Sequence, residues 1–284
     1  MPDLRHYMSE AEMARCVAGA LAEDVGEGDI TSAAVIPETA RLAARMVARE
    51  PMVVAGLPIA AAVFRASDAA ADLHVCAGDG EAVAAGAVLM TVAGNARALL
   101  TAERTALNFL QHLSGIATLA RAFVDRIAGT GARIRDTRKT IPLLRALEKY
   151  AAACGGAENH RRGLHDMVLI KDNHIAVVGS VAAAVAAARA AGHDDIMVEC
   201  DTLSQVEAAL AAGATRLLLD NMDLPTLRRA VALVDGRAET EASGGVTLAR
   251  VRAIAETGVD VISVGRLTQS APAVDIGLDY GGGA

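Results

Sequence analysis

The second half of the chain has a repeating pattern in which short apolar runs alternate with alanine-rich stretches at helical spacing. Alternation of this kind predicts parallel β/α units. The apolar runs that have the length of strands are residues 132–136, 167–171, 196–201, 216–220, 238–243 and 259–265. Because a complete α/β barrel has about eight strands, the pattern predicts a barrel that is short of eight strands or not fully closed.

The first part of the chain is patterned differently, with helical and strand-like segments separated by glycine and aspartate turns. Ser9 and Glu12 have the spacing of a capping box, which predicts a helix that ends near Glu23. Residues 40–54 and 74–92 predict strands that are interrupted by turns.

A second amphipathic helix is predicted over residues 99–113, where apolar side chains recur at helical spacing. Its polar face carries Arg104. We expect this helix to end at Ser114 and Gly115, because glycine commonly follows the last residue of a helix.

Composition and charge narrow the class of protein. The chain has 284 residues, a net charge of −7, 53% hydrophobic residues, 2% aromatic residues and no tryptophan. This describes a globular protein whose core is built from alanine, valine and leucine. The acidic balance disfavours a protein that binds nucleic-acid phosphates, and the scarcity of aromatic residues disfavours one that stacks on bases.

The chain also carries few signals for export or for a membrane. Its N-terminus is charged at once and has no apolar core of a signal peptide, and the longest uncharged runs, 52–64 and 175–188, are short of the ~18 residues that a membrane span needs. We therefore expect a cytoplasmic protein. The widely separated cysteines form no C-x-x-C pair and are expected to be buried, reduced thiols, namely Cys16, Cys76, Cys154 and Cys200.

A cluster of basic residues stands out within residues 136–174 of this acidic chain. Its members are Arg138, Lys139, His160, Arg161, Lys171 and His174. They lie at strand ends and in loops, so a solvated helix face explains them poorly. Arginine pairs with a lysine can bind a planar dicarboxylate in bidentate fashion, and the cluster predicts a pocket for a small molecule with several negative charges.

Acidic residues are predicted at the same edge of the sheet. Strand alternation places Lys171, Glu199 and Asp220 on one face near the carboxyl ends of their strands, where α/β barrels have their active sites. Glu199 and Asp220 suit hydrogen bonds to sugar hydroxyls or the binding of Mg²⁺ against a diphosphate. The alternative is an ion-pair network with Lys171.

The last two predicted strands end in segments that suit a phosphate. These are Ser243-Gly244-Gly245 and Val264-Gly265-Arg266, and a helix predicted over 247–257 follows the first of them. A simple turn is the competing interpretation of each. Zinc is not expected, since His160, His165 and His174 lack the spacing of a zinc site.

Several motifs together resemble those of the quinolinate phosphoribosyltransferase family, over about residues 20–278. They are residues 21–32, Glu103–Leu110, Ser114–Thr118, Asp136–Thr140, Glu148–Tyr150, Asn159–Arg161, Leu169–Ile175, Asp220–Met222, Glu241–Gly245 and Ser263–Gly265. The resemblance implies an open α/β barrel of about seven strands over 115–271. It also implies an N-terminal α/β sandwich domain over 1–114, joined by the C-terminal segment 272–284.

The resemblance further implies a homodimer in which Arg104 reaches the neighbouring subunit's site, with a higher oligomer conceivable. Lys139, Lys171, Glu199 and Asp220 are the implied catalytic residues. The residues implied to bind substrate are Arg104, Thr137, Arg138, Lys139, His160, Arg161, Lys171, Glu199, Asp220, Ser243, Gly244, Gly245, Val264, Gly265 and Arg266.

The implied reaction joins the ring nitrogen of quinolinate to phosphoribosyl pyrophosphate (PRPP) and releases pyrophosphate and CO₂. Mg²⁺ would accompany PRPP, held by Glu199 and Asp220, and no organic cofactor is implied. The chain departs from the family pattern at Ala157, Arg266 and Gln269. A paralogous molybdenum-associated phosphoribosyltransferase and a non-catalytic sensor of phosphate ligands are the alternative interpretations.

Overall fold

A computed structural model describes residues 2–281, which form two compact units. Among the described residues, the first unit comprises 2–121, 141–156 and 270–281, and the second comprises 122–140 and 157–269. The predicted domains, 1–114 with 272–284 and 115–271, differ from this division mainly in the segment 141–156. Residues 282–284 of the predicted C-terminal segment lie outside the described residues.

The segment 141–156 belongs to the first unit because its helix packs there through buried groups. Glu148 has no exposed surface, and its Oε1 lies 2.9 Å from His112 Nε2. The Tyr150 hydroxyl donates a hydrogen bond of 2.6 Å to Asp79. These contacts are made between residues far apart in sequence, which a boundary drawn along the chain does not anticipate.

The first unit contains a four-stranded antiparallel sheet in the order β12-β1-β5-β3 and a short pair, β2-β4. The strands are β1 Arg41–Ala48, β2 Met52–Val53, β3 Asp72–Val75, β4 Ala82–Val83, β5 Val88–Asn95 and β12 Ile276–Tyr280. The helices are a 3₁₀ turn Leu4–His6, α1 Glu10–Val25, α2 Ile30–Val35, α3 Leu57–Ser67, α4 Ala96–Arg126 (through Arg121 in this unit) and α5 Arg145–Cys154.

The predicted capping box at the start of α1 is confirmed. The Ser9 backbone N–H donates to Glu12 Oε2 over 2.7 Å, and the Glu12 backbone N–H donates to Ser9 Oγ over 3.3 Å. Two of the unpaired donors that every helix N-terminus carries are thereby satisfied.

The predicted end of the second amphipathic helix at Ser114 and Gly115 is wrong, because α4 continues to Arg126. Ser114 is fully buried and exchanges hydrogen bonds with the backbone of Ala55, accepting from its N–H at 3.0 Å. A Cβ on Gly115 would lie 2.1 Å from the carbonyl oxygen of Pro272. The glycine therefore permits a close approach of two backbones in the first unit and does not terminate the helix.

We expect the Gly115→Ala substitution to lower the free energy of unfolding by about 3 kcal/mol, since the added methyl group overlaps backbone that cannot move aside easily. Gly19→Ala in α1 is the matched control, because a Cβ there meets nothing within 4 Å. Removing this helical glycine should raise stability by about 0.5–1 kcal/mol. Urea denaturation measures the free energy of unfolding of both variants, which we expect to change in opposite directions. A Gly115→Ala variant with unchanged stability would contradict the packing argument.

The second unit contains a six-stranded sheet in the order β6-β11-β10-β9-β8-β7, in which every pairing is parallel. Its strands are β6 Arg133–Arg135, β7 Val168–Ile170, β8 Ile196–Cys200, β9 Arg216–Asp220, β10 Glu239–Ser243 and β11 Val261–Ser263. Its helices are α6 Asp172–Val178, α7 Val181–Ala190, α8 Leu203–Ala211, α9 Leu224–Val234, α10 Val251–Ala255 and α11 Arg266–Gln269. All six strands predicted from the apolar runs are confirmed.

The sheet is open, as predicted, because β6 and β7 are its two ends. Beyond β6, Glu158 makes a single parallel bridge to Arg135 in the place where a seventh strand would lie. Two backbone hydrogen bonds support the bridge, one from Asp136 N to Glu158 O (2.9 Å) and one from Glu158 N to Ile134 O (2.8 Å). The helix predicted over 247–257 is shorter than expected and covers only α10, since hydrogen-bonded turns precede it.

No single helix within residues 2–281 combines the length and the apolar character needed to cross a membrane. Only α6 and α7 taken together meet both criteria, and they are bent by 89° at the break between them.

The cysteines are only partly as predicted. Cys154 and Cys200 are buried, but Cys16 is half-buried and Cys76 is exposed on the surface. Burial raises the pKa of the Cys154 and Cys200 thiols to about 12. The thiolate is the reactive form of cysteine, so these two thiols are chemically protected in the folded protein.

We expect iodoacetamide at about pH 8 to label Cys76 in the folded protein and to leave Cys154 and Cys200 unlabelled until denaturant is added. Because their raised pKa keeps these two thiols protonated, raising the pH by about one unit should not make Cys154 and Cys200 reactive. Mass spectrometry of peptides locates the label. Labelling of Cys200 at the rate of Cys76 would contradict its burial.

Candidate active site

Most of the predicted site residues meet in a cavity of about 350 Å³ at the carboxyl ends of the strands of the second unit. It is lined by Thr137, Arg138, Lys139, His160, Arg161, Leu169, Lys171, Glu199, Leu218, Asp220, Ser243 and Ser263. A larger cavity of about 550 Å³ shares Arg161 and Leu169, but neither Glu199 nor Asp220 lines it. Cationic and anionic side chains of the predicted set therefore converge in the smaller cavity.

Strand register explains how the acidic residues reach the cavity. Ser243 on β10 pairs with Asp220 on β9, and Glu199 on β8 pairs with Leu218. Side chains two residues apart on a strand share a face, so Leu218 and Asp220 point to the same side. The prediction that Lys171, Glu199 and Asp220 face one pocket is confirmed, since all three line it.

Lys171 and Glu199 form an ion pair between Nζ and Oε2. The Glu199 side chain is only 11% exposed, whereas that of Lys171 is 39% exposed. Removal of the lysine would thus leave a poorly hydrated carboxylate in the wall of the cavity. Of the ion-pair network predicted as an alternative role for Glu199 and Asp220, the pair between Lys171 and Glu199 is present.

Asp220 is fixed by the turn that follows β9. Its Oδ2 accepts a hydrogen bond of 2.6 Å from Asn221 Nδ2, and Asn221 has a left-handed backbone with φ of 54°. Gly244 lies so close that a Cβ there would be 2.1 Å from Asn221 Oδ1. Its own φ of 94° also favours glycine, so this residue is required by geometry on two counts.

Asp136 joins the two basic segments that line the cavity. Its side chain is fully buried and accepts hydrogen bonds from the His160 backbone N–H (2.7 Å) and from Asn159 Nδ2 (2.8 Å). Asp136 immediately precedes the segment that carries Arg138 and Lys139. The buried carboxylate thus sets the position of one basic segment relative to the other.

The arginines of the cavity differ in how they are held. Arg161 Nη1 donates a hydrogen bond of 3.1 Å to the Met167 carbonyl, and burial, followed by the charge of Arg138, lowers the pKa of its guanidinium. Among the described residues, Arg138 Nε is one of the few buried polar atoms that have no hydrogen-bond partner. The protein itself thus leaves one donor of the Arg138 guanidinium unsatisfied.

The backbone of Lys139 is held by the segment that follows β11. The hydroxyl of Thr268, which is 1% exposed, donates a hydrogen bond of 2.7 Å to the Lys139 carbonyl. A Cβ on Gly265 would lie 2.8 Å from Lys139 Cδ and 3.5 Å from Thr137 Oγ1. The absence of a side chain at Gly265 is therefore what leaves room for the lysine.

We expect Gly265→Ala to reduce kcat/KM by about 10- to 100-fold, because the methyl group displaces the Lys139 side chain from its position. Since the displaced atoms belong to a flexible side chain, the free energy of unfolding should change by less than about 1 kcal/mol. Steady-state kinetics and urea denaturation separate the two effects. Gly131→Ala is the control, since nothing lies within 4 Å of a Cβ there; equal kinetics in the two variants would contradict the prediction.

Other predicted site residues lie outside the cavity lining. Gly245 and Arg266 are exposed, and Val264 is buried beneath the surface. Arg104 is exposed on α4 in the first unit. His174, which the basic cluster included, accepts a hydrogen bond of 2.9 Å from the Lys171 backbone N–H at the start of α6.

Within residues 2–281 no group of three or more histidine, cysteine or acidic side chains is arranged to hold a metal ion.

Four residues that build the site are not among the predicted catalytic and substrate-binding residues. Strand alternation does place Leu169 on the face of Lys171 and Leu218 on the face of Asp220, and both leucines line the cavity. Asp136 is predicted at the end of a strand, but its role in joining the two basic segments has no signal in the sequence. Ser263 reaches the cavity from the short strand β11, and its signal in the sequence is its place in the motif Ser263–Gly265.

Two family models cover most of the chain. A model described as "Quinolinate phosphoribosyl transferase, N-terminal domain" matches residues 29–114, and one described as "Quinolinate phosphoribosyl transferase, C-terminal domain" matches residues 116–279.

Three similar proteins match this chain over nearly their whole length. The "Nicotinate-nucleotide pyrophosphorylase [carboxylating]" of Mycobacterium leprae is 48% identical over 267 residues, which cover 92% of this chain and 94% of that protein. The solved nicotinate-nucleotide pyrophosphorylase of Francisella tularensis is 38% identical, with a TM-score of 0.93 and coverage of 96% of this chain and 98% of that one. That of Ehrlichia chaffeensis is 41% identical, with a TM-score of 0.92 and coverage of 96% and 99%.

Proposed function

This chain belongs to the quinolinate phosphoribosyltransferase family, and we propose that the cavity of its second unit catalyses the reaction of that family. The enzyme transfers the phosphoribosyl group of PRPP to quinolinate with decarboxylation, and it yields nicotinate mononucleotide, CO₂ and pyrophosphate for NAD biosynthesis. The observation that carries the proposal is the convergence of four cationic side chains with Glu199 and Asp220 in one cavity. Those cations are Arg138, Lys139, Arg161 and Lys171.

Charge explains why the reaction needs both kinds of side chain. The quinolinate nitrogen forms a bond to C1 of PRPP while the bond from C1 to pyrophosphate breaks, so negative charge builds on the leaving group and positive charge on the ribosyl centre. Cations at the leaving group and carboxylates near the ribose stabilise these changes. When the 2-carboxylate leaves as CO₂, the electron pair of the broken bond stays on C2, where the adjacent pyridinium nitrogen stabilises it. A proton then bonds to C2 in place of the carboxylate.

The basic side chains divide between two anions in this proposal. Arg138 and Arg161 bind the quinolinate carboxylates through their guanidinium groups, and His160 lines the cavity beside them. Lys139 and Lys171 bind the diphosphate. Either lysine can also protonate or shield the carbanion left by decarboxylation, and both line the same cavity.

Glu199 and Asp220 are proposed to receive the ribose hydroxyls and the Mg²⁺ that PRPP brings with it. Two carboxylates suit an ion that retains water and substrate phosphate oxygens as its other ligands. No step is assigned to an organic cofactor.

The phosphate of PRPP is proposed to bind at the ends of β10 and β11, with the segments Ser243–Gly245 and Val264–Arg266. Gly244 and Gly245 have φ values of 94° and 56°, a conformation that can turn successive backbone N–H groups towards an anion. Because α10 is short and preceded by turns, the proposed phosphate site rests on these loop residues and not on the N-terminus of a long helix.

We further propose that the enzyme is a homodimer in which Arg104 completes the partner's site. Arg104 is exposed, and it does not line the cavity of its own chain. Mixing Arg104→Ala with Lys171→Ala variants should restore activity, because mixed dimers would contain one site with neither substitution. Activity no higher than the mean of the two separate variants would overturn the shared site.

Product formation tests the function directly. Purified protein is incubated with quinolinate, PRPP and Mg²⁺, and nicotinate mononucleotide and CO₂ are measured together. Equal amounts of both products are expected. Binding of PRPP without turnover of quinolinate would contradict the proposal and favour the paralogous transferase or a sensor.

A further inference from the structure

Glu241 is a fully buried carboxylate on β10 beneath the cavity, and the proposed reaction gives it no role. Its Oε2 accepts a hydrogen bond of 2.5 Å from Arg135 Nη1, and its Oε1 accepts one from the Ser263 hydroxyl. The same Oε1 lies 3.6 Å from Nε2 of His160. Ser263 and His160 line the cavity, so the carboxylate lies directly behind two groups of the site.

The hydrogen bond made by the other ring nitrogen of His160 indicates which of the two nitrogens carries the proton. Nδ1 accepts a hydrogen bond of 2.7 Å from the Arg161 backbone N–H, and a nitrogen that accepts a hydrogen bond carries no proton. The imidazole proton therefore resides on Nε2, which is the nitrogen that faces Glu241. The backbone of Arg161, whose side chain lines the cavity, is tied to the ring through this tautomer.

The charged groups around His160 favour the same arrangement. Asp136 accepts a hydrogen bond from the His160 backbone N–H, while Glu241 faces Nε2 of the ring. Burial raises the pKa of Glu241, and the adjacent Arg135 opposes that effect. Arg135 is itself anchored by Glu158 and by Glu239, the first residue of β10, so the carboxylate is held by a network and not by a single flexible partner.

We propose that Glu241 is a positioning residue that holds the His160 proton on Nε2, keeps Nδ1 as the acceptor for the Arg161 backbone, and thereby sets the His160–Arg161 pair for quinolinate. The inference rests on the proposed function and deepens it. It assigns the recognition of the substrate carboxylates partly to a buried acid that never touches them. A second consequence is that His160 acts as a neutral imidazole.

The tautomer is measurable without turnover. In two-bond ¹⁵N–¹H spectra of protein labelled at histidine nitrogen, His160 (assigned by its loss in His160→Asn) should show a protonated Nε2 and an unprotonated Nδ1 near neutral pH. In Glu241→Gln we expect a mixture of tautomers and a KM for quinolinate about tenfold higher, with kcat and the KM for PRPP little changed. The matched control is Glu239→Gln, which also removes a charge beside Arg135 but makes no contact with His160.

A protonated Nδ1 or an imidazolium in the unsubstituted protein would overturn the proposal. So would a Glu241→Gln variant with unchanged spectrum and KM, or a Glu239→Gln variant that reproduces its effects. Should Glu241→Gln not fold, Ser263→Ala replaces it and should shift the His160 Nε2–H resonance, and no shift would overturn the proposal. If the unsubstituted protein forms no product, the proposed function fails, while the spectra still decide the role of Glu241.

Discussion

Replacement of Lys171 by alanine is expected to reduce kcat/KM by about 10³-fold, the largest loss among the single substitutions in the cavity. Lys171 pairs with Glu199, whose side chain is only 11% exposed. The substitution removes a cation from the site of two polyanionic substrates and also leaves a carboxylate there without its counter-charge. Steady-state kinetics with quinolinate and PRPP measure the loss.

A double-mutant cycle separates the two causes. If the uncompensated charge of Glu199 contributes, Lys171→Ala combined with Glu199→Gln should lose less than the product of the single effects. Arg228→Ala is the control for removal of a cation from the same unit, because Arg228 is exposed on α9 and does not line the cavity. Similar losses in Arg228→Ala and Lys171→Ala would mean that net charge, and not the site, governs activity.

Replacement of Asp136 by alanine is expected to lower kcat/KM by about 10²-fold and the free energy of unfolding by about 2–3 kcal/mol. The fully buried carboxylate accepts hydrogen bonds from the His160 backbone and the Asn159 side chain. Without it, buried donors lose their acceptor, and the segment that carries His160 and Arg161 loses its registration with Arg138. Kinetics and urea denaturation check the two expectations independently.

Asp260→Ala distinguishes loss of the site from loss of stability. Asp260 accepts hydrogen bonds from the Thr240 backbone (2.8 Å) and hydroxyl (2.6 Å), just before β11 and away from the carboxyl ends. We expect this variant to lose about 1 kcal/mol of stability and to keep its kcat/KM. An Asp136→Ala enzyme with unchanged kcat/KM would show that its hydrogen bonds serve the fold alone.

Much of the second unit was predictable because its information is local. The six parallel strands follow from apolar runs of strand length, and the common face of Lys171, Glu199 and Asp220 follows from a period of two residues. The polarity of parallel strands then places those side chains at one edge of the sheet. The capping box of α1 is local for the same reason, since its partners are three residues apart.

Interactions that depend on distant parts of the chain were not predictable. Gly115 resembles a residue that ends a helix, but α4 continues past it to Arg126. The glycine is needed there because the backbone of Pro272 approaches too closely for a side chain. Likewise, the assignment of 141–156 to the first unit depends on Asp79 and His112, far away in sequence.

The amino-acid sequence by itself determined which strands form, which side chains face the cavity edge and, through its motifs, the family. The tertiary structure alone decided how the two basic segments are joined by Asp136 and how Glu241 reaches the back of His160. The physical reason is that periodicity and capping act within a few residues, whereas a buried carboxylate is stable only where folding brings donors from several segments to it.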